Sequence, residues 1–80
     1  MNPGIVDFFL EPFEFLPFRG IISNVSDSEF CLVTTCPLYQ NQIITIKNNS
    51  GSEKAMVRWI DNNNKNYVKA GLEFVSKQTG

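Results

Sequence analysis

From Tyr67 to Val75 the chain alternates apolar and polar residues with a period of two, and no other feature constrains its fold so tightly. Val68, Ala70, Leu72 and Phe74 fall on one side, and Lys69, Gly71 and Glu73 on the other. An extended strand with one buried face sorts residues in this way, because successive side chains of a strand point to opposite sides. Glu53 to Asp61 repeats the pattern, with Ala55, Val57 and Trp59 expected inward and Lys54 and Arg58 outward. Between the two runs lies Asp61-Asn62-Asn63-Asn64-Lys65-Asn66. Asn and Asp tolerate left-handed backbone and bond their own main chain, so this stretch reads as a hairpin loop.

Three further strands are expected. Gln42 to Lys47 is rich in β-branched residues and ends at the turn Asn48-Asn49-Ser50-Gly51-Ser52. Phe30 to Thr35 precedes it, joined by Cys36-Pro37-Leu38-Tyr39-Gln40-Asn41. Phe18 to Val25 runs into the polar reversal Ser26-Asp27-Ser28. Pro12 and Pro17 interrupt the apolar spacings that a helix would need. The expected fold is therefore all-β, with strands at the spacing of a small barrel or sandwich.

Five of the seven phenylalanines, Phe8, Phe9, Phe13, Phe15 and Phe18, crowd into the N-terminal part. They read either as a first strand packed on the barrel with an aromatic lid over one end, or as an exposed patch that meets a partner or a second copy through Phe8, Phe9, Phe13 and Phe15. The expected organisation is a Phe-rich segment over 1–17, a barrel over 18–76 and a tail over 77–80. Eighty residues make one domain with a thin margin of stability.

The chemistry of most enzymes is missing. There is no histidine, the commonest general base and metal ligand. Cys31 and Cys36 lack zinc-site spacing and a base to activate a thiolate. Glu11 and Glu14 sit among Phe and Pro with no accompanying site, and read as solvated carboxylates. No phosphate-binding glycine loop occurs. Neither a metal nor a bound cofactor is expected. The net charge of −1 gives no general attraction to nucleic acid or to anionic membrane. Residues 1–30 hold five acids and one base, Arg19, whereas residues 31–80 hold three acids and six bases. With no run of about 18 apolar residues and no basic leader, a cytoplasmic protein with free thiols is expected.

From Arg19 to Phe74 the order of pieces resembles the PilZ domain. Gly20-Ile21-Ile22-Ser23-Asn24-Val25-Ser26 is similar to the strand that leads into that family's Asp/Asn-x-Ser-x-x-Gly motif. Phe30-Cys31-Leu32 resembles the strand after it, and Pro37-Leu38 with Asn41-Gln42-Ile43 resembles the next connection. Ala55-Met56-Val57-Arg58-Trp59 resembles the Val-x-Trp strand, and Ala70-Gly71-Leu72-Glu73-Phe74 the closing one. The resemblance implies a bacterial signalling domain folded as a small five- to six-stranded antiparallel (split) β-barrel with Trp59 and Phe74 at its heart, in a family many of whose members bind cyclic di-GMP. It also implies positive φ at Asn41, where the family usually has Gly.

The ligand motif departs from the family. An Arg-x-x-x-Arg pair, whose forked donors suit phosphate and guanine, has no counterpart here, and Arg19 is the lone N-terminal arginine. Asn24 and Ser26 match their motif positions, but Glu29 stands where Gly belongs. The resemblance then implies a binding domain in which cyclic di-GMP binding is weak or lost and protein contacts carry the function. The alternative is a working receptor that uses Arg19, Asn24, Ser26, Glu29 and Arg58 in a non-standard way. A third reading is an unrelated small barrel. Asn24 and Ser26 also have a structural role open to them, since both residue types satisfy turn backbone.

Overall fold

The computed structural model describes residues 3–11, 13–48 and 51–75; side chains are described for these except at 13–15 and 48. Six strands form in order: β1 (Gly4–Leu10), β2 (Phe13–Ser23), β3 (Glu29–Thr34), β4 (Ile43–Asn48), β5 (Gly51–Asp61) and β6 (Val68–Phe74). They close into an antiparallel barrel in the order β1-β2-β3-β6-β5-β4, and no helix occurs among the described residues. Four of the neighbouring pairs are hairpins. The other two, β3 with β6 and β1 with β4, are long-range pairings that close the wall. The Phe-rich segment supplies β1 and the start of β2, and β2 runs through positions 17 and 18 without a break.

The inward face is built as the alternation predicts over most of the wall. Ala55, Val57, Ala70 and Leu72 are buried, as are Phe8, Ile22, Phe30, Leu32, Ile44 and Ile46. A six-stranded barrel leaves little room inside, so large side chains must face small ones. Gly20 makes such room: a Cβ there would lie 2.6 Å from Leu32 Cδ1 and 3.3 Å from Phe8 Cε1. Ala55 stands directly across from Phe74, whose ring tilts against Phe30 at 5.0 Å between centroids. Phe8 stacks on Phe18 at 5.9 Å. The link from β3 to β4 contributes Cys36 and Leu38 to the same core. Thr34 Oγ1 anchors it, donating to the Arg19 carbonyl at 2.9 Å and accepting from the Cys36 amide at 3.2 Å.

Trp59 departs from the expectation. It lies on the outer surface, 46% exposed. Val57 pairs with Leu72 and Trp59 with Gly71, so Arg58 is an extra residue without a partner on β6. This bulge reverses the parity of the strand. Trp59 turns outward, and Ile60, opposite Ala70, takes the position packed against the core. The connecting loop fixes the bulge from the other side. Asn41 N donates to the Val57 carbonyl at 2.8 Å, and the Gln40 side-chain amide donates to the Arg58 carbonyl at 3.1 Å. Asn41 adopts φ 70°, the left-handed conformation expected of it. Phe74 is only partly buried, at the margin of the core rather than its centre.

These placements set two substitution costs apart. Phe8→Ala empties a fully buried site and should cost about 3–5 kcal/mol. Trp59→Ala removes a half-exposed ring and should cost about 1–2 kcal/mol. Chemical denaturation of the two variants checks this ranking; equal losses would contradict the outward placement of Trp59.

Candidate functional site

The turn between β2 and β3 gathers three of the expected site residues. Asn24 takes φ 52°, which Asn accepts more readily than other side-chain-bearing residues. Its side-chain amide points to Cys31 Sγ at 3.7 Å. Ser26 holds the turn together: its hydroxyl accepts from the Glu29 amide at 3.1 Å and from the Ser28 amide at 3.4 Å. Its own amide donates to the Glu29 carbonyl at 2.8 Å. Ser26 thus bonds the backbone of the reversal, the structural role open to it from the sequence, whereas Asn24 supplies the left-handed backbone and turns its side chain to a thiol. Glu29 opens β3 directly across from Glu73, so two carboxylates face each other on the outside of the wall. Like charges opposite one another in a sheet repel.

The two arginines are placed differently. Arg58 sits at the bulge and pairs with Glu73 at 3.7 Å, which brings a guanidinium to the same side of the barrel as Glu29. Arg19 lies in the middle of β2, five residues before Asn24, a separation of about 16 Å along a strand. It pairs with Asp7 of β1 at 3.3 Å, and both side chains are largely exposed. The structure therefore brings Asn24, Ser26, Glu29 and Arg58 to one region and leaves Arg19 apart.

The phenylalanines divide in the same way. Phe8 is fully buried in the core and unavailable to a partner. Phe9 lies on the outside of the seam between β1 and β4, with Lys47 Nζ 5.7 Å from its ring centre. The Phe13 and Phe15 side chains lie outside the described residues. Across the seam Glu11 pairs with Lys54 and is not the solvated carboxylate expected: its side chain is half-buried and its Oε2 is shut off from solvent. The Glu14 side chain lies outside the described residues.

The residue that sequence reasoning missed is Trp59. Its indole lies against Gly71: a Cβ at position 71 would fall 2.1 Å from Nε1 and 2.2 Å from Cε2. The available signal was Gly71 itself, since a glycine inside a strand often marks a bulge or a close approach. Cys31, half-buried, stands across from Gly71 on the far side.

No group of three or more His, Cys, Asp or Glu side chains able to hold a metal occurs among the described residues. Both thiols are free, and burial pushes the Cys36 thiol up from its ordinary value. No described helix is long and apolar enough to cross a membrane. These features define a small closed antiparallel β-barrel. No family model, curated protein or solved structure matches the chain.

Two measurements test this geometry. Gly71→Ala should lift the indole from the wall, so Trp59 emission should shift red and become easier to quench with acrylamide. Unchanged quenching would refute the close approach. With its ionisation disfavoured by burial, Cys36 should react with an aromatic disulfide reagent after Cys31 at mildly alkaline pH. The sign for stability follows: a folded-state thiol held above its unfolded value contributes fully at lower pH. That contribution is lost as pH rises through the ionisation range, because the unfolded thiol gives up its proton first.

Proposed function

We propose that the chain is a PilZ-like binding domain of bacterial second-messenger signalling that acts through protein–protein contacts, with cyclic di-GMP binding weak or lost. Support for the framework comes from the barrel, from the turn built on Asn24 and Ser26, and from the left-handed backbone at Asn41. The observation that carries the functional reading is Glu29. It stands at the motif's Gly position and faces Glu73, so the surface beside the turn bears two carboxylates. A ligand with two phosphates meets repulsion there. The single N-terminal arginine is held by Asp7 on another part of β2. A charge-assisted hydrogen bond to phosphate contributes about 1.5–3 kcal/mol, so the lack of an arginine pair alone weakens such a ligand by orders of magnitude.

The second reading, a receptor with a non-standard site, draws on Arg58. Its guanidinium pairs with Glu73, which stands opposite Glu29 beside the turn, and offers a replacement for a missing clamp. Isothermal titration of the purified protein with cyclic di-GMP separates the two. The proposal expects no saturable heat at micromolar nucleotide. Micromolar binding that disappears in Arg58→Ala would establish the second reading in its place.

A further inference from the structure

We propose that the outer surface around Trp59 receives a basic segment of a partner protein, with a lysine or arginine side chain seated on the indole. The inference rests on the protein-contact reading above and names the chemistry of the partner. One face of the indole is taken up by Gly71, which lacks the Cβ that would push the ring away, and 46% of the residue remains open to solvent. The ring is therefore backed by the sheet rather than free to swing, which lowers the entropy lost on binding.

The charges around this ring select its occupant. Glu73 and Lys69 flank Gly71 on β6, Glu29 stands opposite Glu73, and Asp61 follows Trp59 by two residues on β5. Arg58 pairs with Glu73. No ion pair holds Glu29 or Asp61 among the described residues, although Lys69 stands opposite Asp61. Lys47 lies over the Phe9 ring, and no such contact of a described base with Trp59 is seen among the described residues. An aromatic face attracts a cation through its quadrupole. Arg58 partly offsets Glu73, and the repulsion left on Glu29 opposite it is relieved when a further positive charge approaches. Both effects favour a basic partner, and both disfavour an anionic one. Cys31, beside Gly71, offers apolar surface to the aliphatic stem of such a side chain.

Trp59 is the chain's one tryptophan, so its fluorescence reads this surface directly. The full chain is titrated with tri-arginine amide, with tri-glutamate as the control. A saturable emission change at millimolar tri-arginine is expected, fading as salt approaches about 1 M, where screening acts within ~3 Å. Glu29→Gln, an exposed change, should weaken it by about threefold. No saturable change, an equal response to tri-glutamate, or an unaltered response in Glu29→Gln overturns the proposal. So does an emission change with protein concentration alone, which would make a second copy the occupant. The nucleotide titration stands apart from this one: tight cyclic di-GMP binding would sink the protein-contact reading, while the tri-arginine response still decides the chemistry at Trp59.

Discussion

The interior of a six-stranded barrel is narrow, and most of this structure follows from that. Phe8 and Phe30 occupy much of the available volume, so the positions facing them must be small. Gly20 leaves space for Phe8 and Leu32, Ala70 stands beside Leu32 in the ladder, and Ala55 beside Phe74. An indole at the next inward position of β5 would compete for space with these rings. The bulge at Arg58 removes it, at the cost of one unpaired residue in the ladder.

That bulge couples the core to the surface. Its backbone is held by the loop that links β3 to β4, through Gln40 and Asn41, and the same loop sends Leu38 into the core. The Arg58 and Trp59 side chains are both carried to the outside by it. One extra residue therefore sets the parity of β5, the support of a long connection, and the character of the wall around Gly71. The surface proposed to meet a partner is a by-product of packing the inside.

Charge on the outer wall is organised in local pairs rather than as one field. Arg19 with Asp7, Lys54 with Glu11 and Arg58 with Glu73 each neutralise a small region. These pairs are exposed or half-exposed and contribute little to stability individually. Their consequence is selective: among the described residues they leave Glu29 and Asp61 as carboxylates near Trp59 without an ion-pair partner. On the proposed reading, such a surface would repel phosphates and suit a partner that brings one or two positive charges.

Much of the fold could be read directly from residue order. The alternation in β6 and in the first half of β5, the Asn-rich hairpin, and the left-handed Asn41 depend on local rules of side-chain direction and backbone preference. Those rules act over a few residues and need no knowledge of distant neighbours. The role of Ser26 in its turn was legible for the same reason. The position of Trp59 was not, because its parity depends on a ladder with β6 and on a loop eighteen residues away, and the strand alone looks regular through Trp59. Nor could the division among the phenylalanines be read, since Phe8 is buried and Phe9 is not for reasons of pairing with β2 and β4. Local chemistry determined which stretches become strands; closure of the wall, a long-range event, decided which side chains face outward and which fill the core.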